Sequence, residues 1–300
     1  MAKIKGKRLK EPKHEVTREE RSKNAFFHFF ELLTRKMFKL FALNIMYFIC
    51  ILPILCTAVT LLVASFHIPV AMVENTLFVN LLMRITMWIP KPLMIALTVI
   101  SVVFYGPMTC GMSYVLRNFA TEKHAWLTDF FSRAMSNFKQ GILIGLCDIL
   151  VFVSVTLYML LDLRSISGIE MKYFYFFLKI AAIVISVFYI FMRHYLYTLA
   201  VTFELSIKDI FKNSYLFGVL GFGRNIMTLV VIGMVVFAFT AAPYIDIFLM
   251  ATFTFSLCGF IATYITYPVI KKYMLDATLK PTPDIPDIPD IPDDNAKDAS

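Results

Sequence analysis

Residues 40–63 read LFALNIMYFICILPILCTAVTLLV, a 24-residue run without a charge. A helix rises about 1.5 Å per residue, so the run suffices to cross the roughly 30 Å hydrocarbon core of a bilayer. In that medium every backbone N–H and C=O must be bonded within the segment, which a helix achieves. Five further runs of this kind follow, at about 92–110, 142–161, 174–196, 226–243 and 246–268. Across the 300 residues, 59% are hydrophobic, 30 are Phe and only 17% are charged, against about a quarter charged in soluble domains. The expected fold class is therefore an all-α polytopic membrane protein, with six transmembrane helices and cytoplasmic amphipathic helices between spans. The last two spans lie so close around Pro243 to Asp246 that they must form a helical hairpin.

Lys and Arg set the expected orientation, since they concentrate on the cytoplasmic side. Residues 1–39 hold twelve, whereas the next connection, 64–91, holds only Arg84 and Lys91. Alternation then puts Arg117, Lys123, Arg133 and Lys139 inside, followed by Lys208, Lys212, Arg224, Lys271 and Lys272, with both termini cytoplasmic. The net charge of +8 reads as topology and contact with anionic headgroups, and no nucleic-acid partner is expected. Residues 1–24 form a basic polar arm, 25–275 the membrane domain and 276–300 an acidic Pro-rich tail. The first apolar run is longer than a signal-peptide core and follows some 39 polar and amphipathic residues, so it reads as a retained anchor. Five cysteines and five histidines are scattered without metal-ligand spacing, so no metal and no cofactor is expected.

Between the second and third runs lies a basic, aromatic insert, YGPMTCGMSYVLRNFATEKHAWLTDFFSRAMSNFKQG, residues 105–141. Within it Leu127, Phe130, Phe131, Ala134, Met135 and Phe138 recur at helical spacing, opposite Asp129, Ser132, Arg133, Ser136, Asn137 and Lys139. Such a helix either lies in the headgroup interface or packs beneath the bundle. Phe130, Phe131, Arg133, Asn137 and Lys139 are thus candidates for contact with a partner or with lipid. A similar stripe of Phe26, Phe27, Phe30, Leu33, Met37 and Phe38 precedes the first span, and a third element covers 204–218, with Ser206 and Asp209 placed to cap it. DFFSRAMSNF and DIFKNSYLFG echo each other, so a two-part internal repeat is one organisation the chain admits. In the tail, PTPDIPDIPDIPDD (281–294) repeats with the three-residue period of polyproline II, in a composition that suits a solvated, disordered segment.

Polar residues inside apolar runs are costly and so informative. Asp148 sits about two turns into the third run, and Arg193 with His194 approach the corresponding end of the fourth. Their shared depth predicts an Asp148–Arg193 ion pair, either holding two helices together or forming part of a polar path. Asn44, in the first run, is expected to make an interhelical hydrogen bond. Gly106 and Pro107 read as a structural elbow at the cytoplasmic end of the second span, where the helix must end or bend to enter the insert. Pro53 is expected to kink the first span, and 65–91 reads as an amphipathic or partly re-entrant segment.

LNIMYFICILP (43–53), YGPMTCGMSYVLRNF (105–119) and DFFSRAMSNFKQG (129–141), in this order and spacing, resemble the YesL-like family of bacterial membrane proteins over roughly residues 25–275. The resemblance implies a multi-pass protein of the bacterial plasma membrane, often encoded beside carbohydrate-uptake ABC transporters, with no established reaction. The basic arm and acidic tail depart from the family pattern. The chain has no phosphate-binding loop, nucleophile elbow, His-Glu-x-x-His or intramembrane carboxylate pair, so an enzyme is not expected. The Glu-Ala-Ala loop of importer permeases is also missing. Two classes remain open: an accessory or regulatory subunit of carbohydrate ABC-type uptake, or a stand-alone small-molecule transporter or channel. A homo-oligomer is compatible with both.

Overall fold

A computed structural model describes residues 25–65, 77–160, 171–241 and 245–275. The basic arm, the acidic tail and the tip of the last hairpin lie outside the described residues. The elements are α1 (Ala25–Ser65), α2 (Leu77–Trp88), α3 (Lys91–Ala120), α4 (Thr128–Ser136), α5 (Phe138–Leu160), α6 (Met171–Thr202), α7 (Ile207–Leu220), α8 (Phe222–Thr240) and α9 (Asp246–Leu275). Among the described residues there is no strand, and six helices (α1, α3, α5, α6, α8 and α9) are long and apolar enough to cross a membrane. The chain is an all-α polytopic membrane protein.

The centres of the six predicted runs fall within these helices, but three helices are much longer than the runs. The amphipathic stripe expected ahead of the first span is not a separate element. It continues into the span as a single helix of 41 residues, roughly 60 Å long, because neither Gly nor Pro interrupts residues 25–52. Pro53 lies inside that helix. The helix does not end at the predicted elbow of Gly106 and Pro107, since α3 runs through both residues and ends only at Ala120. The extended ends of α1, α3 and α6 form, with α4 and α7, a helical collar on the basic side of the bundle. Part of the 65–91 connection is α2, which packs on α1.

Glycine governs the centre of the bundle. A Cβ on Gly106 would stand 1.9 Å from the Gly141 carbonyl oxygen, and one on Gly145 would stand 2.7 Å from the Gly106 Cα. The pair Gly141 and Gly145 is a small-xxx-small ridge that lets α5 approach the α3 backbone directly. Hence Gly106 and Pro107 are buried packing residues on α3. That helix also touches α1, α4, α6 and α9. One core gathers Leu43, Val115, Phe119, Phe130 and Phe260, and a second gathers Ile144, Tyr195, Leu199, Ile210 and Ile270.

The echo between the two amphipathic elements extends to structure. In α3–α4–α5 and in α6–α7–α8, a long helix is followed by a short one and then by a span, and equivalent positions are 80 residues apart. Phe130 and Ile210 are fully buried, as are Ala134 and Ser214. Asp129 accepts from the Trp126 N–H at 2.9 Å and Asp209 from the Ser206 hydroxyl at 2.6 Å, each reaching back three residues. Ser206 in turn accepts from the Asp209 N–H, giving the predicted cap of α7. Gly141 and Gly221 occupy matching buried positions. Asp148 and Thr228, 80 residues apart, are both buried polar positions.

Candidate functional site

Asp148 lies near the middle of α5 and is 0% exposed. Ionised there, it needs counter-charge and hydrogen-bond donors, and both are present. Arg193 Nε donates to Asp148 Oδ2 at 2.8 Å, so the structure brings the two predicted partners together. Tyr197 donates to the same oxygen at 2.7 Å, Tyr189 to Oδ1 at 2.7 Å and Tyr105 to Oδ2 at 3.4 Å. Four donors therefore meet this carboxylate, three at Oδ2 and one at Oδ1. The Arg193 Nη2 donates to the Tyr105 hydroxyl at 2.8 Å, and its guanidinium lies 5.2 Å from the Tyr197 ring centroid. Tyr189, Arg193 and Tyr197 follow each other at i, i+4 and i+8, one stripe of α6. Tyr105 and Asp148 come from the first repeated unit, and those three residues come from the second. Thr109 Oγ1 donates to the Tyr105 carbonyl at 2.7 Å and lies 3.0 Å from the Tyr47 hydroxyl, which extends the network to α1.

The other predicted intramembrane residues are separate from this cluster or peripheral to it. His194 follows Arg193 in α6, but its ring makes none of these bonds. Asn44 is fully buried on α1 and serves a different purpose. It donates to the Ala251 carbonyl at 2.7 Å and accepts from the Ser256 N–H at 2.8 Å. The first lies within, and the second just beyond, the π-helical turn Met250–Thr254 in α9, where the ordinary i to i−4 bonding is interrupted and backbone groups need another partner.

On the collar, α4 packs beneath the bundle, the second of its two predicted placements. Phe130 is 0% exposed and its carbonyl abuts Gly111, where a Cβ would come within 2.2 Å. Phe131 is 45% exposed. Arg133 lies over the Tyr114 ring at 4.5 Å and Arg117 over the same ring at 4.9 Å. Asn137 donates to the Arg133 carbonyl at 2.9 Å, which closes α4, and Lys139 is exposed on the first turn of α5. Of the five partner or lipid candidates, Phe131 and Lys139 face outward, Arg133 and Asn137 are half-buried, and Phe130 belongs to the core.

A clasp that the sequence did not announce ties the collar together. Glu122, just beyond α3, accepts from Arg35 Nη2 at 2.7 Å and bonds His28 Nε2 at 2.8 Å. His28 Nδ1 is 3.1 Å from the Tyr264 hydroxyl on α9. The hydrogen bond from Arg35, followed by that from His28, holds the Glu122 carboxyl below the usual carboxylate range. Three helices thus meet at one acid.

Among the described residues no group of three His, Cys, Asp or Glu is arranged to hold a metal ion. Compared with models of known families, with curated proteins and with solved structures, the chain matches none of them.

Proposed function

We propose that this chain is a non-catalytic accessory subunit of a membrane complex, with a carbohydrate ABC-type uptake system as the partner implied by the YesL-like resemblance. The observation that carries this proposal is the contrast between bundle and collar. Within the spans, two costly polar side chains are internally bonded: Asp148 to Arg193 and three tyrosines, and Asn44 to backbone of the π-helical turn and of a residue just beyond it. On the collar, Trp126 at 63%, Phe131 at 45% and Met135 at 47% stand exposed beside Arg133 and Lys139. Aromatic residues, Met and Arg are the types enriched where proteins meet.

A second proposal, a stand-alone transporter, is favoured by one observation. The Asp148 cluster lies between two repeated units, where many transporters hold substrate. The two are separated by crosslinking in native membranes, affinity purification and identification of what co-purifies. An accessory subunit brings down a partner in fixed proportion, and replacing Phe131 and Met135 together by Ala removes it while the protein stays folded. Phe130→Ala is unsuitable as a probe, because truncating a buried Phe costs about 3–5 kcal/mol and unfolds the collar. Purification without a partner, together with solute uptake into proteoliposomes that Asp148→Asn abolishes, identifies a transporter.

A further inference from the structure

Far from the collar, α1, α2 and α3 enclose a cleft of about 410 Å³ near the Lys91 end of α3. Four threonines line it, and their hydroxyls are bonded to one another and to backbone carbonyls. Thr57 and Thr98 bond each other at 2.8 Å, and Thr60 donates to the Cys56 carbonyl at 2.8 Å. Thr86 donates to the Leu82 carbonyl at 2.9 Å and Thr98 to the Met94 carbonyl at 2.8 Å. What remains toward the cleft is methyl and hydrocarbon surface. Its rim includes Leu61, Ile95 and Val99, all more than half exposed and all on spans, so the cleft opens sideways toward lipid.

One cation stands on this rim. Lys91 lines the cleft and is the first residue of α3, where the partial positive charge of a helix start makes a lysine unfavourable without a nearby anion. Among the described residues no carboxylate pairs with it. Trp88, 87% exposed, lies three residues away and marks the headgroup level at which Trp collects. The arrangement has a hydrocarbon slot below and, above it, an ammonium group with no carboxylate partner among the described residues. We propose that the cleft seats one acyl chain of an anionic phospholipid, whose phosphate is held by Lys91. The lateral opening excludes a water-soluble ligand, and the lysine selects a negative headgroup over a zwitterionic one.

The test uses the full chain in phosphatidylcholine vesicles containing trace phosphatidylglycerol with a photoactivatable group in its acyl chain. Adducts are mapped by peptide mass spectrometry, and the same probe with a phosphatidylcholine headgroup serves as comparison. Adducts should concentrate at Thr57–Leu61 and Ile95–Val99, with the anionic probe favoured about fivefold, the effect of one lysine at a membrane surface. Lys91→Ala should remove that preference while leaving the adduct positions unchanged. Ile95→Trp and Val99→Phe, both from exposed positions, should each fill the slot and suppress the adducts. Equal labelling by the two probes in the unmodified chain would overturn the proposal. So would adducts spread evenly over the lipid faces of α5, α6 and α8, or labelling that survives both slot-filling variants.

Discussion

At Glu122 the backbone turns left-handed, with φ 56°, in a position that helix ends usually give to glycine. The surrounding bonds are those of a Schellman closure: Lys123 N–H to the Asn118 carbonyl at 2.8 Å and Glu122 N–H to the Phe119 carbonyl at 3.3 Å. A side chain there costs about 1–2 kcal/mol in backbone strain, and this side chain is the one that Arg35 and His28 bond. Because the folded-state pKa of Glu122 is depressed, its contribution is present above the unfolded carboxylate pKa and is lost as pH falls through the folded value. We predict that thermal stability of the purified protein declines below about pH 4.5 and that Glu122→Gln shallows this decline. An acid limb unchanged by the substitution would show that the clasp carries no weight. The partners of Glu122 were not legible, since they lie 87 and 94 residues away and nothing local marks them. Asp148 and Arg193 were legible because charge in an apolar run demands a partner. The tyrosines around them were not, although Tyr-x-x-x-Arg-x-x-x-Tyr at 189–197 was available as a one-face signal.

Span centres were legible because about 20 apolar residues have few other uses. Helix ends were not, because hydropathy falls where the membrane ends, whereas helical hydrogen bonding continues until a residue breaks it. Gly106–Pro107 shows the difference: Gly-Pro suggests a break, but the glycine is required by the neighbouring backbone of α5 and the proline is accommodated within the helix. Gly-Ile-Leu-Ile-Gly at 141–145 carried that information in the sequence as a small-xxx-small ridge. The element-level prediction is a paired one. Gly106→Ala places a methyl 1.9 Å from a carbonyl oxygen and should sharply lower folded yield and melting temperature in detergent. Gly233→Ala, on α8 with nothing within 4 Å of the new Cβ, should match the unmodified protein or exceed it slightly. Equal behaviour of the two variants would refute direct backbone packing of α3 on α5.

For the molecule as a whole, the charge distribution predicts that the collar and Trp88 lie on opposite sides of the membrane. Single cysteines at Ser132 and Met87, both exposed, should react with an impermeant maleimide from opposite faces, the first only after the cytoplasmic side is opened. Reaction of both from one face would reverse the topology. Between those faces, two similar three-helix units meet at the Asp148 cluster, which couples them. A double-mutant cycle on unfolding stability with Asp148→Asn and Arg193→Gln measures that coupling. Each single change leaves a buried charge or donor set without its partner and should cost about 3–5 kcal/mol. The double variant should cost clearly less than the two losses combined, because the second change removes the group that the first left unpaired. Simple additivity of the two losses would show that Asp148 and Arg193 do not couple the units.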